Sequence, residues 1–338
     1  MDKHTIVSAL KKLASDLGRI PKRDEFTQVC PKASYYALGL DYSDLLAAAG
    51  FLGKKKEPPF KFKFKRAQLE SFTVFECEID QIFKALGNPP SVKLIAMPDT
   101  HVKHRDHAAV RAFLKFIKWY DPDVFIILGD FLDAEDISHW EDPSLEPRQF
   151  APEIKEARKL LKEISDATPN CIARFFLEGN HEDWINQAIA QKMPNFFFGL
   201  EEFGLTPDLK KLLDLEGFGY ELVKLNTILK FGHAHFTHGL YTGNGHAKKH
   251  LDRLKANIYY GHLHDTFSHH DSSLGGIIES GSLGCLCRLD AKFMKGKPTN
   301  WVHAFGIFEF FPDGTYTLVV PKIIRGRLSF AGKVFSGV

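Results

Sequence analysis

The sequence predicts an α/β sandwich of packed sheets flanked by helices, preceded by a small helical unit. Three observations lead there. From residue 91 the chain alternates short apolar runs with helical stretches, a βα rhythm that sets helices against sheets. Four of those apolar runs end in clusters of Asp, Asn or His, and the tail reads as hairpins. The first fifth of the chain carries a charge balance of its own.

Length and composition set the bounds. At 338 residues the chain allows one large domain, or one with a small appendage. Charged residues at 25% and hydrophobic residues at 44% give a real core and exclude a disordered chain, a collagen or a small disulfide scaffold. No run approaches the ~20 apolar residues of a membrane span, so no membrane partner is expected. The first 16 residues scatter charges where a signal peptide needs an apolar stretch. Five cysteines without a framework spacing fit reduced thiols in a cytosol, and the lone C-x-C of Cys285 and Cys287 reads as ordinary thiols.

The elements follow in order. Ile6, Val7, Leu10, Leu13 and Ala14 make a helical stripe closed by Gly18 and Pro21. A second helix begins near Asp24, and a third covers Tyr42–Ala49. The text LGRIPKRDEF and, later, SYYALGLDYSDLLAAAGF resembles the small repeat modules attached to homing endonucleases and other phage nucleases; that resemblance implies contact with DNA. Residues 1–66 hold 14 Lys/Arg against 7 Asp/Glu, whereas the remaining 272 hold 30 against 35. Such asymmetry suits a polyanion-binding appendage on a separate body.

Residues 53–66, GKKKEPPFKFKFKR, leave two readings open. Lys54, Lys55, Lys56, Lys61, Lys63, Lys65 and Arg66, interleaved with Phe60, Phe62 and Phe64, suit a nucleic-acid backbone and its bases. The same alternation also suits an edge strand that docks its phenylalanines on the body and leaves its lysines in solvent. The expected organisation is a helical module over 1–52, a basic linker or arm with a helix over 53–90, and a catalytic domain over 91–338.

In the body, VKLIAM runs into Pro98-Asp99-Thr100-His101, and a helix over 107–119 leads to VFIIL and Gly129-Asp130. A helix over 151–166 leads to CIARFFL and Gly179-Asn180-His181-Glu182. Strands around 220–238 end at His238-Gly239, and NIYY ends at Gly261-His262-Leu263-His264. GIFEFF and TYTLVV flank a Pro312-Asp313-Gly314 turn. Ligand sites in α/β sheets collect at the carboxyl ends of strands, so clusters up to 165 residues apart should converge. Oxygen and imidazole donors without thiolates suit Mn, Fe, Zn, Ni or Co. Asp130, after a strand and a glycine, has room to bridge two ions, and ions ~3.5–4 Å apart support in-line attack on phosphorus.

The ordered blocks D-x-H (Asp99, His101), G-D-x-x-D (Gly129, Asp130, Asp133), G-N-H-E (Gly179 to Glu182), H-G (His238, Gly239) and G-H-x-H (Gly261, His262, His264) resemble the calcineurin-like metallophosphoesterases over about residues 92–310. The resemblance implies a four-layer α/β/β/α sandwich. It implies two divalent cations, manganese first, one held by Asp99, His101, Asp130 and His264, the other by Asp130, Asn180, His238 and His262. His181 matches the histidine that faces the substrate phosphate; Asp133 and Glu182 match supporting acids, with Glu in place of the commoner Asp. Of His233, His235 and His238, the resemblance selects the last, at the strand end. His104 and His107 read as surface residues at a helix start.

The family spans protein phosphatases, nucleotide and cyclic-nucleotide phosphodiesterases, phospholipid hydrolases and DNA repair nucleases. Asp-Thr-His followed by Gly-Asp-Phe-Leu-Asp looks like its nuclease branch, shared with bacterial and phage enzymes. The leading expectation is a nuclease or phosphodiesterase acting on DNA through a metal-bridging hydroxide, in a bacterial or phage-infected cytosol. The alternatives are a small-molecule phosphatase or cyclic-nucleotide phosphodiesterase whose residues 1–66 form a homo-oligomer, and a nucleic-acid-binding protein on an inert scaffold.

Overall fold

The computed structural model describes residues 2–17, 21, 23–31, 45, 49, 64–68, 72–135, 150–192, 208–290 and 298–338. The chain divides into two compact units, Met1–Pro59 and Phe60–Val338. In the first, α1 (Lys3–Leu17) starts at Asp2, whose carboxylate accepts the Thr5 N–H at 2.8 Å, and α2 spans Arg23–Val29. The α1 stripe buries Ile6 and Leu10 with Phe26, Cys30, Leu45 and Ala49. Except for Leu45 and Ala49, the third helix expected over 42–49 lies outside the described residues, as do Lys54, Lys55, Lys56, Lys61 and Lys63.

The second unit opens with β1 (Phe64–Gln68), β2 (Thr73–Cys77) and α3 (Ile79–Ala85). Next come β3 (Val92–Met97), a 3-10 turn at Val102–His104, α4 (His107–Tyr120), β4 (Val124–Ile127), α5 (Phe150–Ala167), β5 (Ala173–Leu177) and α6 (Asn180–Lys192). Then follow α7 (Leu209–Leu213), β6 (Tyr220–Val223), β7 (Thr227–Phe231), β8 (Ala234–Thr237), α8 (His246–Leu254) and β9 (Asn257–Tyr260). The hairpins β10 (Ser268–Ser273) with β11 (Gly276–Ser282), β12 (Gly306–Phe310) with β13 (Tyr316–Val319), and β14 (Arg327–Phe330) with β15 (Lys333–Ser336) complete it.

One sheet has the order β1-β2-β7-β8-β9-β11-β10, the other β13-β12-β3-β4-β5-β6. Alternation builds the layers. Leu94 and Ala96 of β3 join Phe75, Leu229, Phe236 and Tyr259 of the other sheet between the two sheets, while Ile95 and Met97 face α4 and α5 on the outside. A strand buried on both faces must be apolar throughout, which is why VKLIAM and VFII read as unbroken runs. α8 covers the outer face of the seven-stranded sheet through Ala247, His250 and Leu251. The result is the four-layer α/β/β/α sandwich.

Within the stretch read as a basic arm with a helix, β1 and β2 form the edge of the seven-stranded sheet, and α3 buries Ile82 and Phe83 in the core between the sheets. Phe64 stacks on Phe75 at 4.5 Å, while Lys65 pairs with Glu78 and Arg66 lies over the Phe75 ring. The alternation of this stretch is thus a docked edge strand from Phe64 onward. The Pro312-Asp313-Gly314 turn forms as the pattern predicts. Gly314 takes φ +82°, and the Asp313 carboxylate accepts the Thr315 N–H.

Candidate metal centre

The loops after β3, β4 and β5 leave one end of a parallel array, and those after β8 and β9 leave the parallel pair facing it. Asp99 and His101, Asp130 and Asp133, Asn180 to Glu182, His238, and His262 with His264 therefore meet. Close backbone approach makes this feasible. A Cβ on Gly179 would strike the Asp130 backbone and carboxylate, and one on Gly261 would strike Asp99. His101, Asp130, His262 and His264 sit at φ of 42°, 44°, 66° and 61°. Left-handed backbone at non-glycine residues costs of order 1–3 kcal/mol each, and its concentration here marks a site that the surrounding packing holds in place.

Two groups of donors share Asp130. In the first, His264 Nε2 lies 2.9 Å from Asp99 Oδ2 and 3.3 Å from His101 Nε2, and His101 Nε2 is 3.9 Å from Asp130 Oδ2. In the second, His238 Nε2 stands 3.2 Å from Asp130 Oδ2, 2.9 Å from Asn180 Oδ1 and 3.1 Å from His262 Nδ1. His238 Nδ1 points at the Leu128 carbonyl at 2.9 Å, which turns Nε2 inward. Asp99 also accepts the His262 N–H.

This arrangement fits cations. Three atoms bearing lone pairs converge on His238 Nε2, more than one N–H can serve, and two imidazole nitrogens face each other in the first group. Charge tells the same story. Burial pulls His238 and His101 down, yet Asp130 beside His238, and Asp133 and Asp130 around His101, outweigh it and push both up to about 10. His264 rises to about 9 against the same burial, held by Asp99. Burial penalises the Asp130 charge, but His238 and His181 keep its carboxyl well below the usual range. Buried carboxylates thus demand positive charge at this spot, and oxygen-plus-imidazole donors suit divalent first-row metals.

The supporting acids act on loops and rings. Asp133 Oδ1 receives His101 Nδ1 at 3.1 Å and so orients that ring, the usual way a second partner fixes a ligand's tautomer. Glu182 is buried, and its two oxygens accept the backbone N–H groups of Asp130, Leu132 and Gly179 at 3.0, 2.7 and 2.9 Å. One side chain ties two of the strand-end loops together. Glu182→Ala is expected to leave three buried donors unserved and to cost about 3 kcal/mol or more, with Glu182→Gln costing less because an acceptor remains. Denaturant unfolding of the two variants against the parent chain checks this.

His181 occupies a different position. Its backbone N–H binds Asp130 Oδ1 at 3.0 Å, its Nδ1 faces the Asp133 carbonyl at 2.6 Å, and its ring lies 3.9 Å from Trp184. Nε2 is left toward the centre, 3.7 Å from Asp130 Oδ2. Burial lowers this ring's pKa despite Asp130.

His104, exposed, contacts Asp133 and Glu135, and His107 begins α4 at the surface. His233 is exposed, and His235 Nδ1 binds the Asn257 carbonyl away from the centre. Lys65 and Arg66 lie on β1, outside the cluster.

Several neighbours escape a reading by blocks. Cys287 Sγ lies 3.7 Å from His264 Nδ1, so one thiol of the C-x-C pair backs the His264 ring. Trp301 packs on the His264 ring at 4.3 Å. Buried Glu153 accepts the Asp133 and Ala134 N–H groups. Only the C-x-C spacing offered a signal for any of them.

A calcineurin-like phosphoesterase family model matches residues 92–266, just over half of the chain and the stretch that carries every one of these loops. The chain belongs to the calcineurin-like phosphoesterase family. It is a metal-dependent phosphoester hydrolase by that membership, with the buried His and Asp groups of the family's metal chemistry. The phosphoesterase is 25% identical over 266 residues to the gene 54 protein of Mycobacterium phage L5. It is 25% identical over 263 residues to the gene 54 protein of Mycobacterium phage D29; each match covers 72% of this chain and 99% of the relative. Among solved structures it resembles a single mutant of Vps29 from Entamoeba histolytica at 13% identity, covering 72% of this chain and 98% of that one with a TM-score of 0.36. Vps29 of Chaetomium thermophilum follows at 11% identity, 69% and 97% coverage and 0.32. Among the described residues no helix is long and apolar enough to cross a membrane.

Proposed function

We propose that this phosphoesterase hydrolyses phosphodiester bonds in DNA with two divalent cations, manganese the first choice. Asp99, His101, Asp130 and His264 would hold one, and Asp130, Asn180, His238 and His262 the other. The observation that supports this most is the Asp130 carboxylate, which faces imidazoles of both groups. When bound, the pair supplies Lewis acidity at the phosphoryl oxygens and a lowered pKa for the attacking water. Asp133 keeps His101 oriented and Glu182 keeps the strand-end loops in register. His181 Nε2 stands free to hold or give a proton to an oxygen of the phosphate. No serine or cysteine nucleophile is needed.

The charge of residues 1–66 and the module resemblance support DNA as substrate. Engagement of Lys65 by Glu78 and of Arg66 by Phe75 favours a second reading, a small-molecule phosphatase or cyclic-nucleotide phosphodiesterase with an oligomerising N-terminal unit. The full chain, assayed with manganese on duplex and single-stranded DNA, cyclic nucleotides and a phosphomonoester, decides between them. In the DNA reading, Lys54→Glu, Lys55→Glu and Lys56→Glu together lower DNA affinity. They also flatten the slope of log K against log salt by ~0.9 per lost duplex contact. Unchanged affinity and slope would remove this segment from the DNA interface.

A further inference from the structure

Beside the metal cluster lies a cavity of about 770 Å³ whose chemistry differs from the cluster's own. It shares a wall with the site. Leu263 stands between His262 and His264, and the Trp301 ring that lines the cavity packs on His264. The loop from His238 to α8 forms another side through Asn244, and the start of β10 is preceded by Phe267. Its volume falls within the ~300–1,000 Å³ of small-molecule sites.

The lining excludes several occupants. Among the described lining residues there is no Lys or Arg to pair with a second phosphate. The one carboxylate, Asp265, is already taken: His246 Nε2 lies 3.2 Å from one oxygen and the Ser282 hydroxyl donates to the other. His246 in turn meets the Tyr260 hydroxyl at 2.8 Å through Nδ1. Both Asp265 oxygens are thus turned to groups of the protein itself and not to an incoming cation or amine. The lining also presents the Phe267 ring, 49% exposed and 5.6 Å from the His246 ring, the Trp301 ring packed on His264, and the carboxamides of Asn244 and Asn300. Aromatic faces with donor–acceptor amides suit a neutral, planar, heteroaromatic group.

The loop is held rigidly enough to define such a pocket. His250, buried under it, accepts the Leu240 and Tyr241 N–H groups on Nε2 at 3.0 and 3.3 Å while its Nδ1 faces the His246 carbonyl at 2.8 Å. The same loop carries His238 at one end and His246 at the other, so cavity and cluster are positioned together.

We propose that this cavity receives the nucleobase attached to the phosphate at the metal cluster, stacking it on Phe267 and Trp301. The inference rests on the phosphodiesterase reading for the placement of the phosphate, but its test separates the two. Equilibrium dialysis of the full chain with manganese compares 2′-deoxyadenosine 5′-monophosphate with 2-deoxyribose 5-phosphate, which share a phosphate and differ by the base. The parent chain should bind the nucleotide about tenfold more tightly, within the range of ring–base stacking. Phe267→Ala should bring the nucleotide to the sugar phosphate's level, and Phe267→Tyr should restore the preference. Equal binding of both ligands by the parent chain, or a preference that survives Phe267→Ala, overturns the cavity assignment even if DNA is hydrolysed. A preference that vanishes in Phe267→Ala without hydrolysis of any diester supports the cavity and sinks the phosphodiesterase reading alone.

Discussion

Asp130→Asn is expected to abolish turnover and lower metal occupancy from two ions to one or none per chain, with the fold retained. Asp130 is the one carboxylate that faces both groups of donors, 3.2 Å from His238 and 3.9 Å from His101 through the same oxygen. Asparagine keeps the shape and an acceptor for the His181 N–H, and leaves the Asp130 backbone N–H on Glu182. The charge that would hold two like-charged ions a few ångström apart is lost. Residues that merely orient a ligand cost ~10–100-fold in metal affinity when changed, so the loss here should exceed that. Elemental analysis of the purified, dialysed variant and turnover of a chromogenic phosphodiester supply the two readouts. A variant that keeps two metals and hydrolyses normally removes Asp130 from the bridge and with it the proposed centre. Thermal unfolding is the control, because the inter-sheet core of Leu94, Ala96, Ile126 and Phe308 does not involve this carboxylate.

The difference between what sequence shows and what it hides follows from how each feature is encoded. VKLIAM, VFII and NIYY are legible because a strand covered on both faces must be apolar along its length, and their terminal Asp, Asn and His residues lie in the same short stretch of chain. The site is thus written as local blocks that only topology brings together. β10 and β11 carry no such signal. SHHDSS and GIIESGS form an edge hairpin with exposed Leu274 and Ile277, so neither alternation nor an apolar run was selected for. β1 was obscured in another way. Its charge suits an anionic partner as well as solvent, while Phe64 against Phe75 is what fixes its place. Cys287 is 23 residues from His264 in sequence, and Trp301 is 37 residues away; their packing on that ring is purely tertiary. The walls of the neighbouring cavity come from three separate segments for the same reason.

Strain gives the site a further physical signature that no block reveals. Four of the eight residues in the two donor groups and at His181 hold left-handed backbone without being glycine. Each places a donor where a relaxed extended chain would turn it away. The cost is distributed over Glu182, Glu153 and Asp99, which accept backbone N–H groups in those same loops. Three buried carboxylates that accept backbone N–H groups tie these loops into a preorganised frame.

His181→Ala is expected to slow hydrolysis by ~10²–10⁴-fold, the range for loss of a positioned acid or base, while both metals remain bound. The expectation follows from where each atom of this residue goes. Its backbone N–H serves Asp130 and survives the substitution. Nδ1 is turned to the Asp133 carbonyl at 2.6 Å, and Trp184 covers one face of the ring, so Nε2 has a single direction, toward the shared carboxylate at 3.7 Å. His101 Nε2 stands a similar 3.9 Å from the same Asp130 oxygen, and what sets His181 apart is access: its side chain is 20% exposed, against 8%, 2% and 9% for His101, His238 and His264. In the proposed reaction a ring so placed would meet an oxygen of the phosphate. Alanine removes the imidazole without unpairing a buried carboxylate, since Asp130 keeps His238. The discriminating readout is therefore stoichiometry alongside rate. Two ions with a slow enzyme support the role assigned here. Loss of one ion in elemental analysis puts His181 among the metal ligands, and an unchanged rate with both ions bound removes it from the chemistry altogether.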